Sequence, residues 1–296
     1  MTTRRDFLLT TAAVALAAGT SAAAPAKPKL KKAVKYSMVA GKGTPLEKFE
    51  LLKRLGFQGV EIDSPNALDL PALVAAKEKT GVAIHGVIDS AHWRDTLSSP
   101  DADVRAKGLA ALRVAIADAK TVGADTVLLV PGVVTKDVTY AQCWERSTAE
   151  VKKAIPDADK AGVKIAIETV WNNFITKPAQ LVEYVDQFRT PTVGAYFDVS
   201  NMVKYGVPPA AWIRALGKRM LKFDFKGYSL EKAKAAKDDW KGFGVGIGEG
   251  SEDWPEVLLA CGEVGYTTWA TAEVQGGDEK WLADVAARMD KVLELV

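Results

Sequence analysis

From residue 34 to its end the chain repeats one pattern eight times: a short apolar run, then a segment whose apolar residues recur at helical spacing. The short runs are VKYSM (34–38), FQGVEI (57–62), VAIHGVI (82–88), ADTVLLVPG (124–132), VKIAIE (163–168), TVGAYFD (192–198), MLKFDFKG (220–227) and TTWATAEV (267–274). Helices are predicted over 44–56, 68–81, 101–123, 140–162, 177–188, 208–219, 253–265 and 278–296, with a kink or break at Pro156. Gly56, Gly81, Gly123, Gly162 and Gly265 stand where glycine closes a helix. Strands alternating with helices argue for a parallel sheet. Eight units over about 260 residues match a (β/α)8 barrel, a single domain of the α/β class at 34–296. A doubly wound open sheet is disfavoured, because no glycine-rich phosphate loop follows the first strand.

What precedes the barrel reads differently. MTTRRDFLLTT carries the pair Arg4–Arg5, followed by an apolar stretch and small residues. Residues 1–26 are read as a twin-arginine secretory signal and 27–33 as a basic linker. The expected partner is the twin-arginine export machinery, and the expected location is the periplasm. An uncleaved tether is the alternative. Cys143 and Cys261 lie far apart, without the clustered spacing of a structural zinc site. A net charge of +2 is too small to suggest nucleic acid as a partner.

In such a barrel, chemistry sits at the C-terminal ends of the strands. Strand five ends in Glu168, strand six in Asp198 and strand eight in Glu273, and strand seven carries Asp224 with Lys226 two residues on. Alternation pairs Ala166 with Glu168, Tyr196 with Asp198 and Thr271 with Glu273 on inward faces. On strand seven it puts Lys222, Asp224 and Lys226 on one face, and Leu221, Phe223 and Phe225 on the other. A single carboxylate at a strand end commonly caps the next helix or pairs with a loop cation. Four converging on one mouth would repel, and a divalent cation with hard oxygen ligands, Mg, Mn or Ca, is the natural remedy. His92 and Trp93 follow strand three, and Trp171 and Asn172 follow Glu168, where an aromatic face and polar groups suit a substrate-side role at the mouth. His85 lies mid-strand and reads as a core residue.

The segments LGFQGVEI, AGVKIAIETVWN, GAYFDVSNM, MLKFDFKGY and WATAEVQGG resemble the sugar phosphate isomerase/epimerase family of xylose isomerase-like TIM barrels, in order and over the whole chain after the signal. The resemblance implies a metal held by Glu168, Asp198, the strand-seven position and Glu273. Family members typically read His-x-Lys-Asp on strand seven. Here Asp224 stands in the histidine's place, Lys226 matches the lysine, and Gly227 replaces the aspartate. The resemblance further implies that the GIGEGSEDW loop shapes the mouth, with Glu249 as a substrate contact.

The implied chemistry is isomerisation or epimerisation of a sugar through an enediolate. Glu168 and Glu273 serve as ligand and acid/base, Asp198 and Asp224 as ligands, and His92, Trp93, Trp171, Asn172, Lys226 and Glu249 as substrate contacts. An exported member meets unphosphorylated sugars or their derivatives. β-Elimination of a keto-glycoside uses the same proton removal and is an alternative. A carbohydrate-binding barrel without turnover is another.

Overall fold

Helix boundaries in this protein follow from residues visible at each end. The computed structural model describes residues 28–295, so the twin-arginine segment lies outside the described residues. Eight parallel strands close into a barrel in sequence order: β1 (Lys31–Lys35), β2 (Gly59–Ser64), β3 (Ala83–Asp89), β4 (Thr126–Leu129), β5 (Lys164–Glu168), β6 (Val193–Asp198), β7 (Met220–Phe225) and β8 (Trp269–Ala272). β1 pairs with β8, so no sheet edge remains. Around them lie α1 (Pro45–Arg54), α2 (Leu70–Thr80), α3 (Ala102–Val122), α4 (Tyr140–Ala161), α5 (Pro178–Asp186), α6 (Val199–Val203), α7 (Pro209–Leu216), α8 (Leu230–Ala236), α9 (Trp254–Val264) and α10 (Glu279–Val292).

Thr44 opens α1 and Thr139 opens α4 with reciprocal capping boxes to Glu47 and Gln142. Gly81, Gly123, Gly162 and Gly265 close their helices with positive φ, a conformation in which a Cβ would be strained.

Three sequence expectations need correction. β1 begins at Lys31, inside the expected linker, and residues 36–38 turn into a 3-10 helix, because the barrel needs Lys31–Val34 to pair with β8. α4 runs on through Pro156, since Ala154 and Ala158 bury a continuous face on either side of the proline and packing outweighs one missing backbone bond. Leu221 does not share the outward face of Phe223. The β6–β7 register shifts between Ala195 and Tyr196, pairing Ala195 with Met220 but Tyr196 with Lys222, and Leu221 packs beside Tyr196.

The main core fills the layer between strands and helices, with Val127 and Leu129 pointing into it. Leu128, between them, joins Ala166 and Tyr196 in a separate small cluster inside the barrel. Below this cluster Lys222 reaches Asp125 at 2.7 Å, ahead of β4, and His85 stacks on Trp269 at 4.3 Å. Lys222 thus belongs to the floor, and His85 is a buried, neutral residue whose burial, with Lys222 and Lys35 nearby, holds its pKa well below the usual value. Cys143 and Cys261 are free and buried.

Candidate active site

Strand register sets the site. Glu168 pairs with Tyr196, Asp198 with Asp224, and Asp224 in turn with Thr271, so the ends of β5 to β7 lie side by side. Glu273 follows β8, and its N–H bonds to the Phe225 carbonyl at 2.9 Å. One oxygen from each of Glu168, Asp198, Asp224 and Glu273 lies within 4.8 Å of the others. Asp198 also caps α6: its Oδ1 accepts from the Ser200 and Asn201 N–H groups at 2.8 and 2.7 Å. Capping fixes the carboxylate and leaves Oδ2 facing the cluster, so its structural and site roles coexist.

Two lysines temper this charge. The Lys226 ammonium lies 2.6 Å from Asp198 Oδ2 and also bonds to Glu273. Lys35, from β1, lies 2.7 Å from Glu61 Oε2 and 2.9 Å from Asp224 Oδ2. The Tyr196 hydroxyl donates to the same Glu61 oxygen at 2.8 Å. Glu61 fits because Gly86 on β3 has no side chain: a Cβ there would stand 2.4 Å from Glu61 Oε1. Lys35 and Glu61 were not singled out in the sequence, and Tyr196 was placed on an inward face without a role. The available signal was a charged residue inside each of two apolar strands, VKYSM and FQGVEI, on the side that parity turns inward.

Burial is the largest influence on Glu168, Asp224, Glu273 and Lys226. It raises the Glu168 carboxyl well above the carboxylate range, and Glu273 and Asp224 add to the rise. It likewise raises Asp224, only partly offset by Lys35. For Glu273 burial also pushes up, but Lys226 and Lys35 outweigh it and bring the carboxyl down to about 2. Lys226 itself, which burial alone would lower, is held well above its usual value by Asp198 and Glu273.

This donor set fits a hard divalent cation. Five buried or half-buried carboxylates (Glu61, Glu168, Asp198, Asp224, Glu273) face two ammonium groups, so negative charge remains in excess. Neither oxygen of Asp224 accepts a hydrogen bond, although its charge is met by Lys35. A buried carboxylate with no hydrogen-bond donor of its own, among other oxygen ligands, suits a Mg- or Mn-type site.

A cavity of about 210 Å³ opens beside the cluster, lined by His92, Trp93, Trp171, Trp240, Glu168 and Glu273 among others. His92 Nδ1 accepts from the Val130 N–H at 3.2 Å, so the neutral ring carries its proton on Nε2. Burial lowers its pKa to about 4, which keeps it neutral at pH 7. Trp93 is 53% exposed at the rim. Trp171 is fixed by donating to the Asn201 carbonyl at 2.7 Å and stands 4.6 Å from Trp240 and 4.9 Å from Phe243.

Two expected substrate contacts are turned elsewhere. Asn172 is buried, donating to the Gly132 carbonyl at 2.8 Å and accepting from the Phe174 N–H at 3.1 Å, so its amide ties the loops after β4 and β5 together. Glu249 lies on the surface, bound to Arg288 at 2.7 Å and to the Gly246 N–H at 2.9 Å, and braces its loop against α10.

Comparison with known proteins agrees with this architecture. Residues 49–292 match the family described as the xylose isomerase-like TIM barrel. L-ribulose-5-phosphate 3-epimerases (UlaE) of Escherichia coli O1:K1 and Salmonella typhi are 31% identical over 168 and 172 residues, 53% of this chain. Those matches span only 59% of the relatives' own length. A D-psicose 3-epimerase of Clostridium cellulolyticum H10, solved with D-tagatose, superposes with a TM-score of 0.72 at 19% identity over 88% of this chain and 98% of that one. A D-allulose 3-epimerase of Methylomonas sp. gives 0.71 at 17% over 90% and 98%. These structures share the fold. With more than half its length matched to the family, the chain belongs to the xylose isomerase-like TIM barrels.

Proposed function

We propose that this protein is a sugar epimerase or isomerase that moves a proton next to a carbonyl, with a divalent cation, Mg or Mn, held by Glu168, Asp198, Asp224 and Glu273. The convergence of these four carboxylates at the barrel mouth carries the reading. The sugar epimerases among the relatives support it. When bound, the cation would polarise the substrate carbonyl and stabilise the enediolate left by proton removal.

The protein's own residues divide the rest. Glu168 and Glu273, from strands three apart in the ring, both line the cavity and are the pair that would remove and return the proton, while Lys226 pairs with Asp198 and Glu273. His92 offers Nε2–H to a substrate oxygen. Trp93, Trp171 and Trp240 cover the ring faces and exclude water. An unphosphorylated substrate is supported by the cavity walls: the 210 Å³ cavity has no Lys or Arg in its lining, and Lys226 beside it is paired twice. Export to the periplasm by the twin-arginine route is part of the same reading, since free sugars are met there.

Metal content of the purified protein, together with deuterium uptake from D2O into ketoses and keto-glycosides, tests this. Bound metal and exchange α to the carbonyl are expected. Bound metal without exchange into any sugar would overturn the enzymatic reading. The position of Lys226 between Asp198 and Glu273 favours a second reading, a carbohydrate-binding barrel that has lost metal and turnover, and the absence of both bound metal and exchange would select it. Release of an aglycone accompanying exchange would instead identify β-elimination.

A further inference from the structure

A second and larger cavity, about 700 Å³, opens on the other side of Glu273. It runs from Lys226 and Glu273 outward between the loop after β7 and α10, past Phe243, Val245, Trp281 and Arg288. Glu273 lines both cavities. The smaller falls below the usual size of a whole ligand pocket and suits about one ring, whereas the larger lies well inside the roughly 300–1,000 Å³ range of small-molecule sites.

The larger cavity has a built wall. A Cβ on Gly227 would stand 2.3 Å from the Gly246 carbonyl oxygen, and one on Gly246 2.5 Å from Arg288. The loop at 244–248 therefore lies directly on the end of β7, an approach that the aspartate expected from the resemblance at Gly227 would block. Phe243 and Trp281 add aromatic surface, and Trp281 is fixed by donating to the Gln275 carbonyl at 2.7 Å.

The charges of the lining are already matched. Arg288 lies 2.7 Å from both Glu249 and Asp284, and Lys226 is held by Asp198 and Glu273. Neither cation of the lining is left for a phosphate or carboxylate. Aromatic faces, backbone groups and neutralised charge suit an uncharged ring with hydroxyl groups or an aryl face.

We infer that this cavity is a second subsite and that the substrate is an uncharged glycoside: its reacting ring lies in the tryptophan-lined cavity and its second ring lies against Trp281 and Phe243. The inference rests on the reading above that the reacting molecule is a sugar.

The experiment uses the full chain loaded with Mn. D-Fructose is compared with isomaltulose, and methyl with phenyl 3-keto-glucoside, by calorimetric binding and by deuterium uptake. The two-ring member of each pair should bind at least ten-fold tighter and exchange with at least ten-fold higher kcat/KM. Trp281→Ala, and separately Val245→Trp to fill the cavity, should reduce that ratio below about three-fold, with melting temperature checking the fold of each variant. Exchange into all four sugars without a two-ring advantage, or an advantage that both variants retain, would overturn the subsite and leave the enolising reading standing. Two-ring binding that depends on Trp281 but comes without exchange would support the subsite and overturn that reading.

Discussion

Removing the Lys35 ammonium tests whether the centre of the barrel works as one charge network. Lys35 is only 3% exposed, and its Nζ meets Glu61 at 2.7 Å and Asp224 at 2.9 Å. Lys35→Met keeps most of the side-chain volume and leaves two buried carboxylates without their cation. Breaking a buried pair by deleting one partner costs about 3–5 kcal/mol. At about 2–4 °C per kcal/mol for a domain of this size, the melting temperature should fall by about 6–20 °C. Burial alone would lower the Lys35 pKa, but Asp224 and Glu61 outweigh it and raise it well above its ordinary value. Its contribution is therefore fully present below the unfolded-state pKa of 10.5 and fades only as pH rises through the folded value, so the direct loss from Lys35 should be seen throughout pH 6–9. Urea and thermal unfolding of the metal-free chain measure it. Adding Glu61→Gln should restore part of the loss, because the amide oxygen still accepts from Tyr196 while one stranded charge is gone. A loss below about 1 kcal/mol, or no recovery in the double variant, would refute the network.

Asp198→Asn should abolish stoichiometric metal retention, measured by elemental analysis, while Asn Oδ1 still caps α6 and the far-ultraviolet spectrum is unchanged. Burial raises Asp89 to about 7, opposed by the Ala91 N–H, so this residue penalises the folded state increasingly as pH climbs from the unfolded value of 3.8 to about 7. Asp89→Asn should stabilise the protein at pH 8 by up to about 4 kcal/mol and leave it nearly unchanged at pH 3.5, read from paired urea curves. His92→Phe should lower kcat/KM about ten- to hundred-fold with a loss that is constant from pH 6 to 8, since His92 titrates only near 4; a loss that vanishes at one end of that range would refute a neutral donor.

The barrel was legible in the sequence because its signal is repeated: each apolar run and each closing glycine tests the same pattern. Parity then found Glu168, Asp198, Asp224 and Glu273, which end strands that are neighbours in the ring. It could not find the Lys35–Tyr196 contact, whose partners are 161 residues apart and meet only across the closed interior. Leu221 was misplaced because one bulge between β6 and β7 shifts the alternation, and nothing in LKFDF announces it. Asn172 and Glu249 stand beside the mouth in sequence, yet nearby partners, the Gly132 carbonyl and Arg288, take up their polar atoms. The short helices α6 and α8 carry too few residues for a periodic signal, and Asp198 shows its capping role only once α6 is seen.

Closure of the ring through β1 and β8 has a consequence for the order of assembly. Lys35 emerges near the start of the chain, and Asp224 and Lys226 emerge after roughly three quarters of it. A growing chain that has emitted only its first six strands carries Lys35, Glu61 and Glu168 but neither Asp224 nor Lys226. Glu273 joins Glu168, Asp198 and Asp224 only when the last strand docks beside the first, a non-local and hence late event in folding. The four-carboxylate cluster is thus complete only once the ring has shut. If the chain takes the export route its first residues predict, that closing step must precede passage across the membrane.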